Sequence, residues 1–401
     1  MMKKILTMMA AALLLAACGN KHKKADDPLA DSGRTQRTEN LLASLRQTAE
    51  KGNFLFGHHD DTVYGIGWVA DTANDSTIGT KSDVKSVCGD LPAILSFDLG
   101  HIELGDAKNL DGVPFERMRQ EIIHHFDRGG MVTLSWHLNN PLSGGSSWVA
   151  DSLKDVEKNT VAAVLDGGEK HELFLGWIDR VAQFLNSLET PYGVKVPVLF
   201  RPWHEHTGSW FWWGQELCTT EQYKALWKMT VDRLKAQGVT NALYAYSPNV
   251  VNDGTQETLM ERYPGDDLID VIGYDQYCFA EVGDTAAVAR YAADLDKYLG
   301  MICEAASQHD KVAALTETGF ESLKTDDWWT ATLLPVLVKH PISYVLVWRN
   351  AHDKPGHFFA PYPGHASTSD FVRFYNDDHT LFLKDVNGLY LKKQAPQSEK
   401  E

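Results

Sequence analysis

The chain has 401 residues, with 54 acidic against 38 basic side chains and a formal charge of −16. So acidic a surface repels nucleic acid and anionic headgroups, and it suits a neutral substrate. Beyond Cys18, the cysteines Cys88, Cys218, Cys278 and Cys303 show no CxxC or zinc-like spacing. They form one or two disulfides or stay free, and spacing alone does not choose.

In chain order, Lys3 and Lys4 precede a largely apolar run from Ile5 to Ala17. That run is shorter than the ~20 residues a membrane helix needs and ends in small residues, so residues 1–17 read as an export signal. Leu15-Ala16-Ala17-Cys18 resembles the lipobox of bacterial lipoproteins. The resemblance implies a lipid on Cys18 and a place in a Gram-negative cell envelope, facing periplasm or exterior, with membrane contact through the anchor only. Residues 18–37 are polar and are expected as a flexible tether. Residues 38–395 are expected as one catalytic barrel, and 396–401 as a disordered tail.

Eight short apolar runs follow: 54–59, 93–100, 131–138, 196–205, 242–248, 270–277, 312–320 and 344–350. Most are continuous rather than alternating, the pattern of strands buried on both faces of a parallel sheet. Helical periodicity fills most gaps; in residues 114–130, Pro114 opens it, Phe115, Met118, Ile122 and Phe126 share a face, and Gly129 stops it. Eight strands alternating with helices predict a single-domain α/β fold, a (β/α)8 TIM barrel, with an open doubly wound sheet as the alternative. No glycine-rich phosphate loop follows any strand. The segment after the third strand, from Asn139 to Glu172, is long enough to wall a cleft. Residues 380–393 read as a hairpin turning at Asn387-Gly388.

Polar residues gather at strand ends: His58, His59 and Asp60 after the first, Asp98 and His101 after the second, His137 and Asn139 after the third. Arg201, His204 and Glu205 close the fourth, Asp275 and Tyr277 the sixth, and Trp348 and Arg349 the eighth. A barrel brings these ends to one face, where active sites lie. Glu205 and Glu317 each fall within an apolar run, where a carboxylate is costly unless hydrogen-bonded, ion-paired or functional. Arg201 and Arg349 are available as partners. Two such glutamates facing across a barrel mouth suit retaining glycosidase chemistry, which sets a proton donor and a nucleophile ~5–5.5 Å apart.

The aromatic residues point to the substrate class. Trp203, Trp210, Phe211, Trp212 and Trp213, with Trp136, Trp148 and Trp348, exceed what strand packing needs. Sugar rings lie with a C–H face on indole while their hydroxyls take polar partners in the same trough. Some of these rings, Trp212 among them, are expected in the core. A metal reading rests on His204 and His206, which would share a face on an extended chain. It lacks HExxH, since position 208 is glycine, and no metal and no cofactor is expected.

At "RPWHEHTGSWFWWG" the sequence resembles glycoside hydrolase family 26, which includes many β-mannanases. "GHHDDTVYG", "SWHLNN", "YSPN", "YPGDDLIDVIGYDQY", "ALTETGF" and "VWRN" extend the likeness across residues 40–375. The resemblance implies Glu205 as acid/base and Glu317 as nucleophile. It implies His204, just before the acid/base, orienting the nucleophile or the sugar 2-hydroxyl region. Tyr277 would bond the nucleophile, His137 and Trp210 would line the −1 subsite, and Trp348 would be its platform. Asp275 and Arg349 would lie beside the glycone subsites, and Arg201 would pair with Glu317. The implied activity is retaining β-1,4-mannan hydrolysis by a monomer. β-1,3-Xylanase, mixed-linkage glucanase and non-catalytic glycan binding are the alternatives.

Overall fold

The computed structural model of the protein describes residues 27–251 and 253–392. Eight parallel strands run β1 (Phe54–His59), β2 (Ile94–Asp98), β3 (Met131–Ser135), β4 (Val198–Arg201), β5 (Ala242–Tyr246), β6 (Val271–Cys278), β7 (Val312–Phe320) and β8 (Ile342–Val347). Each pairs with the next, and β8 returns to β1 with Leu55 opposite Tyr344 and His58 opposite Val347. The barrel is therefore closed, and an open sheet is excluded.

Alternation along the strands separates two apolar layers. Phe54, Phe56, Leu95, Phe97, Val132, Leu134, Val198 and Phe200 pack outward with the helices. Leu55, Ile94, Met131, Leu199, Leu243, Val271, Val312 and Leu346 fill the lower barrel. This plug leaves the opposite, C-terminal mouth for polar side chains. The four cysteines among the described residues are free, and none of the described helices is long and apolar enough to cross a membrane.

Two boundaries differ from expectation. The ordered fold begins within the supposed tether: Arg34 clamps Asp270 through two bonds of 2.7 and 2.8 Å, and Thr35 caps helix Gln36–Glu50. A polar composition hid this because the anchors are an ion pair and a cap rather than apolar burial. Among the described residues, 380–392 form no hairpin. Thr380–Leu381 instead runs parallel to β1, and Leu383–Asp385 forms a 3-10 turn. Leu383, Val386, Leu389 and Tyr390 then close the barrel floor with Leu41 and Leu45. Burying that apolar floor outweighs pairing two exposed strands. Residues 1–26 and 393–401, Cys18 and the tail included, lie outside the described residues.

One irregularity positions the chemistry. Tyr274 of β6 faces Leu315 of β7, but Asp275 faces Glu317, so β7 carries an extra residue at Thr316. A bulge changes which side chains point inward, and here Thr316 and Glu317 both turn to polar partners inside the barrel. Gly273 makes this possible, because a Cβ there would lie 2.3 Å from the Thr316 side chain. Gly273→Ala is expected to lower stability by about 1–3 kcal/mol through overpacking, measured as a lower denaturation midpoint.

Candidate active site

The barrel mouth holds a cleft of about 690 Å³ lined by His137, Trp148, Glu205, Trp210, Phe211, Tyr277, Glu317, Trp348 and Arg349 among others. Strand ends β3, β4, β6, β7 and β8 thus converge there. Glu317 accepts from Tyr277 Oη at 2.5 Å and from the Arg201 guanidinium. Arg201 is buried in turn against Asp275, 2.7 Å away. Asp275 spends its second oxygen on Thr316 Oγ1 at 2.7 Å. It supports the arginine from below while also lining the cleft.

Glu205 is not the last residue of a strand. β4 stops at Arg201, and residues 202–206 turn, with φ of +57° at Trp203 and +53° at Glu205. Such left-handed non-glycine residues cost about 1–3 kcal/mol each and persist only where surroundings enforce them. Here the enforcement is explicit. Tyr223 Oη donates to the Trp203 carbonyl at 2.7 Å, and Trp213 Nε1 to the His204 carbonyl at 2.8 Å. The Glu205 amide donates to the Ser247 carbonyl at 2.7 Å, and Arg262 to the His206 carbonyl at 2.8 Å. The turn aims Glu205 into the cleft, where Trp210 Nε1 donates to its carboxyl at 2.8 Å.

The same turn separates the two histidines. His204 faces the site, its Nε2 3.0 Å from His137 Nε2. His206 packs between the rings of Tyr223 and Tyr246, 4.5 and 4.7 Å away, so the shared face expected of an extended chain does not exist. Among the described residues, the His/Asp/Glu group with ligand-like spacing is His59, Asp60 and Asp111. Positive charge is already supplied there by Arg349, 2.9 Å from Asp111 and 3.1 Å from Tyr64 Oη.

The tryptophans divide sharply. Trp136, Trp203, Trp212 and Trp213 are wholly buried and pack on one another. Trp203, read from sequence as part of the sugar trough, belongs to this core because its left-handed backbone turns the ring outward. The trough is Trp210, Phe211, Trp348 and Trp148, the last 61% exposed and stacked parallel to Trp210. Trp348 lies on His59 with centroids 3.9 Å apart.

The surroundings of the two glutamates differ. Burial, then the charges of Glu317 and Asp275, push the Glu205 carboxyl up to about 8. It is therefore protonated at neutral pH. Glu317 is instead held by a guanidinium and a phenol. Trp210 opposes the shift at Glu205 by bonding its charged form. Trp210→Phe is accordingly expected to move the alkaline limb of the pH–rate profile upward, alongside weaker substrate binding.

Sequence reading gave no role to Asp98, which anchors His137, or to Asp111 and Tyr64, which hold Arg349. Asp98 carried a signal, as an acid ending an apolar strand; Tyr64, in a short strand Tyr64–Gly65, lay within the GHHDDTVYG motif without a role, and Asp111 lies outside every strand and helix. Phe279, 81% exposed at the cleft rim, was also missed.

The sequence profile of "Glycosyl hydrolase family 26" matches residues 30–319. A mannan endo-1,4-beta-mannosidase of Bifidobacterium adolescentis is 30% identical over 379 residues, 90% of this chain and 36% of that protein. This chain thus spans little more than a third of that relative. One from Bacillus subtilis is 25% identical over 361 residues, 87% of this chain and 89% of its own. The solved structure of a GH26 beta-mannanase from Bacteroides ovatus is 52% identical with a TM-score of 0.84, covering 91% of this chain and all of that one.

Proposed function

The chain belongs to glycosyl hydrolase family 26, and from that premise and the geometry of its cleft we propose a retaining β-1,4-mannanase of endo type. The observation that carries the mechanism is the asymmetry of the two carboxyl groups. Glu317 is fixed by Arg201 and Tyr277, while burial and nearby charge hold Glu205 protonated. Substrate class is supported by the mannanase relatives and by the indole trough.

In the first step Glu317 attacks the anomeric carbon as Glu205 protonates the departing glycosidic oxygen. The aglycone leaves as an alcohol and a glycosyl ester forms on Glu317. Glu205, now a carboxylate, takes a proton from water that attacks the same carbon; the ester bond to Glu317 breaks, its carboxylate is restored, and the product leaves with its configuration retained. Trp348 forms the floor under the reacting sugar, and Arg349, tethered by Asp111 and Tyr64, reaches hydroxyls on the glycone side. No step calls for a metal or organic cofactor.

Reducing-end assays on galactomannan, xylan and mixed-linkage β-glucan test the substrate. Release is expected from mannan with the others at least tenfold slower; silence on mannan refutes the assignment. The reading extends to a lipid on Cys18, a monomeric catalytic unit and an envelope location. Radiolabelled palmitate entering the wild type but not Cys18→Ser is the expected result for the anchor.

A further inference from the structure

Asp98 ends β2 beneath the cleft wall with every lone pair engaged. Oδ2 accepts from Ser135 Oγ and from His137 Nδ1, each at 2.6 Å. Oδ1 accepts from the backbone amides of Gly100 at 2.7 Å and His137 at 3.1 Å. Gly100 is required for this cradle, since a Cβ there would stand 2.7 Å from the His137 carbonyl and 2.9 Å from Asp98 Oδ1. A fully solicited, buried carboxylate has no proton to give, so the proton between it and His137 sits on Nδ1.

His137 Nε2 then meets His204 Nε2 at 3.0 Å, nitrogen to nitrogen, and only one proton fits between them. Phe211 stands edge-on to both rings, 5.2 Å from His137 and 5.3 Å from His204, which blocks their rotation. Trp213 holds the His204 carbonyl. His137 lines the cleft while His204 is wholly buried.

We propose that Asp98 is a positioning residue of this site, which through His137 fixes the proton shared with His204 and so orients the wall of the reacting-sugar subsite. This rests on the glycosidase reading of the cleft. The charged and titratable groups facing His137 are Asp98, His59, Asp111, Arg201, His204 and Glu317. Burial would lower the His137 pKa, and Arg201 acts in the same direction; Asp98 and Glu317 outweigh them, and the net shift is upward. Burial and then Arg201 and His137 push His204 the other way, keeping it neutral. His137 thus donates Nδ1–H to Asp98, and the single proton between the two Nε2 atoms ties its ring to His204. The arrangement parallels carboxylate-oriented histidines elsewhere, where an amide in place of the carboxylate selects the wrong tautomer.

The test is 15N NMR of histidine-labelled protein across pH, with the His137 resonance assigned by its loss in His137→Gln. The wild type is expected to show Nδ1–H on His137 and a titration above the ordinary histidine range. Asp98→Asn is expected to remove Nδ1–H and lower that titration. Its kcat on mannohexaose should fall about 10- to 100-fold with KM changed less than about threefold, as outer-shell partners of histidine typically cost. Should Asp98→Asn fail to fold, Ser135→Ala removes one donor and keeps the carboxylate, so Nδ1–H should persist. A wild-type His137 without Nδ1–H, or a titration unmoved by Asp98→Asn, overturns the proposal. The ring measurements need no substrate, so inactivity on mannan would sink the substrate reading while leaving this one standing.

Discussion

Glu317→Ala is expected to lower kcat on mannan by on the order of 10⁵-fold, the scale seen when a covalent nucleophile is lost. That is roughly 7 kcal/mol of transition-state stabilisation. Removing the side chain leaves Arg201 facing Asp275 alone, since Arg201 bridges both acids. The fold should survive, because the bulge that aims Glu317 is secured by Thr316 and its bonds to Asp275 and Ser247. Mannohexaose should still bind, as the trough of Trp210, Trp348 and Phe211 is untouched. Azide can enter the vacated space and attack the same face, so added azide should restore turnover of an activated aryl mannoside as an α-configured azide. A variant retaining turnover within a hundredfold of wild type would remove Glu317 from the mechanism. Calorimetric binding of mannohexaose by a wild type that turns none of it over would leave a glycan-binding protein.

Glu205 should reveal itself through leaving groups and pH. Glu205→Gln cannot protonate an oxygen, so hydrolysis of mannan should fall about 10³-fold, within the usual contribution of general acid catalysis. A 2,4-dinitrophenyl glycoside needs no such help, and its first step should be nearly unaffected. In the wild type, activity on mannan should decline as pH rises through about 8, where Glu205 loses its proton. The sign can be tested further. Burial raises this group first and the negative Glu317 next, so Glu317→Gln removes one upward cause. Carboxyl 13C titration should then place Glu205 lower in Glu317→Gln than in wild type. A higher or unchanged value would contradict the coupling between the two acids.

Much of this was legible in the sequence because strands buried on both faces write themselves as continuous apolar runs. All eight barrel strands lie at or within two residues of such runs. Glu317 stood out for the same reason, as a lone acid inside one. Glu205 stood out too, yet its environment was misread. Its run crosses from β4 into a turn with positive φ at Trp203 and Glu205, and nothing in apolar patterning signals a left-handed backbone. From that single turn follow the outward ring of Trp203 and the separation of His204 from His206. Asn387-Gly388 shows the converse error: turn chemistry was present, but burial of Leu389 and Tyr390 under the barrel decided what followed. Asp98 was visible as a strand-end acid, and its role became apparent only when β3 brought His137 beside it.

The most direct test of the account is the stereochemistry of the first bond broken. Proton NMR of mannopentaose or mannohexaose in the first minutes of reaction resolves the anomeric signals before mutarotation mixes them. Double displacement by Glu317 with Glu205 as acid and then base predicts that the β-anomer appears first and the α-anomer follows slowly. Initial release of the α-anomer, meaning a single inverting displacement by water, would contradict the roles assigned to both glutamates.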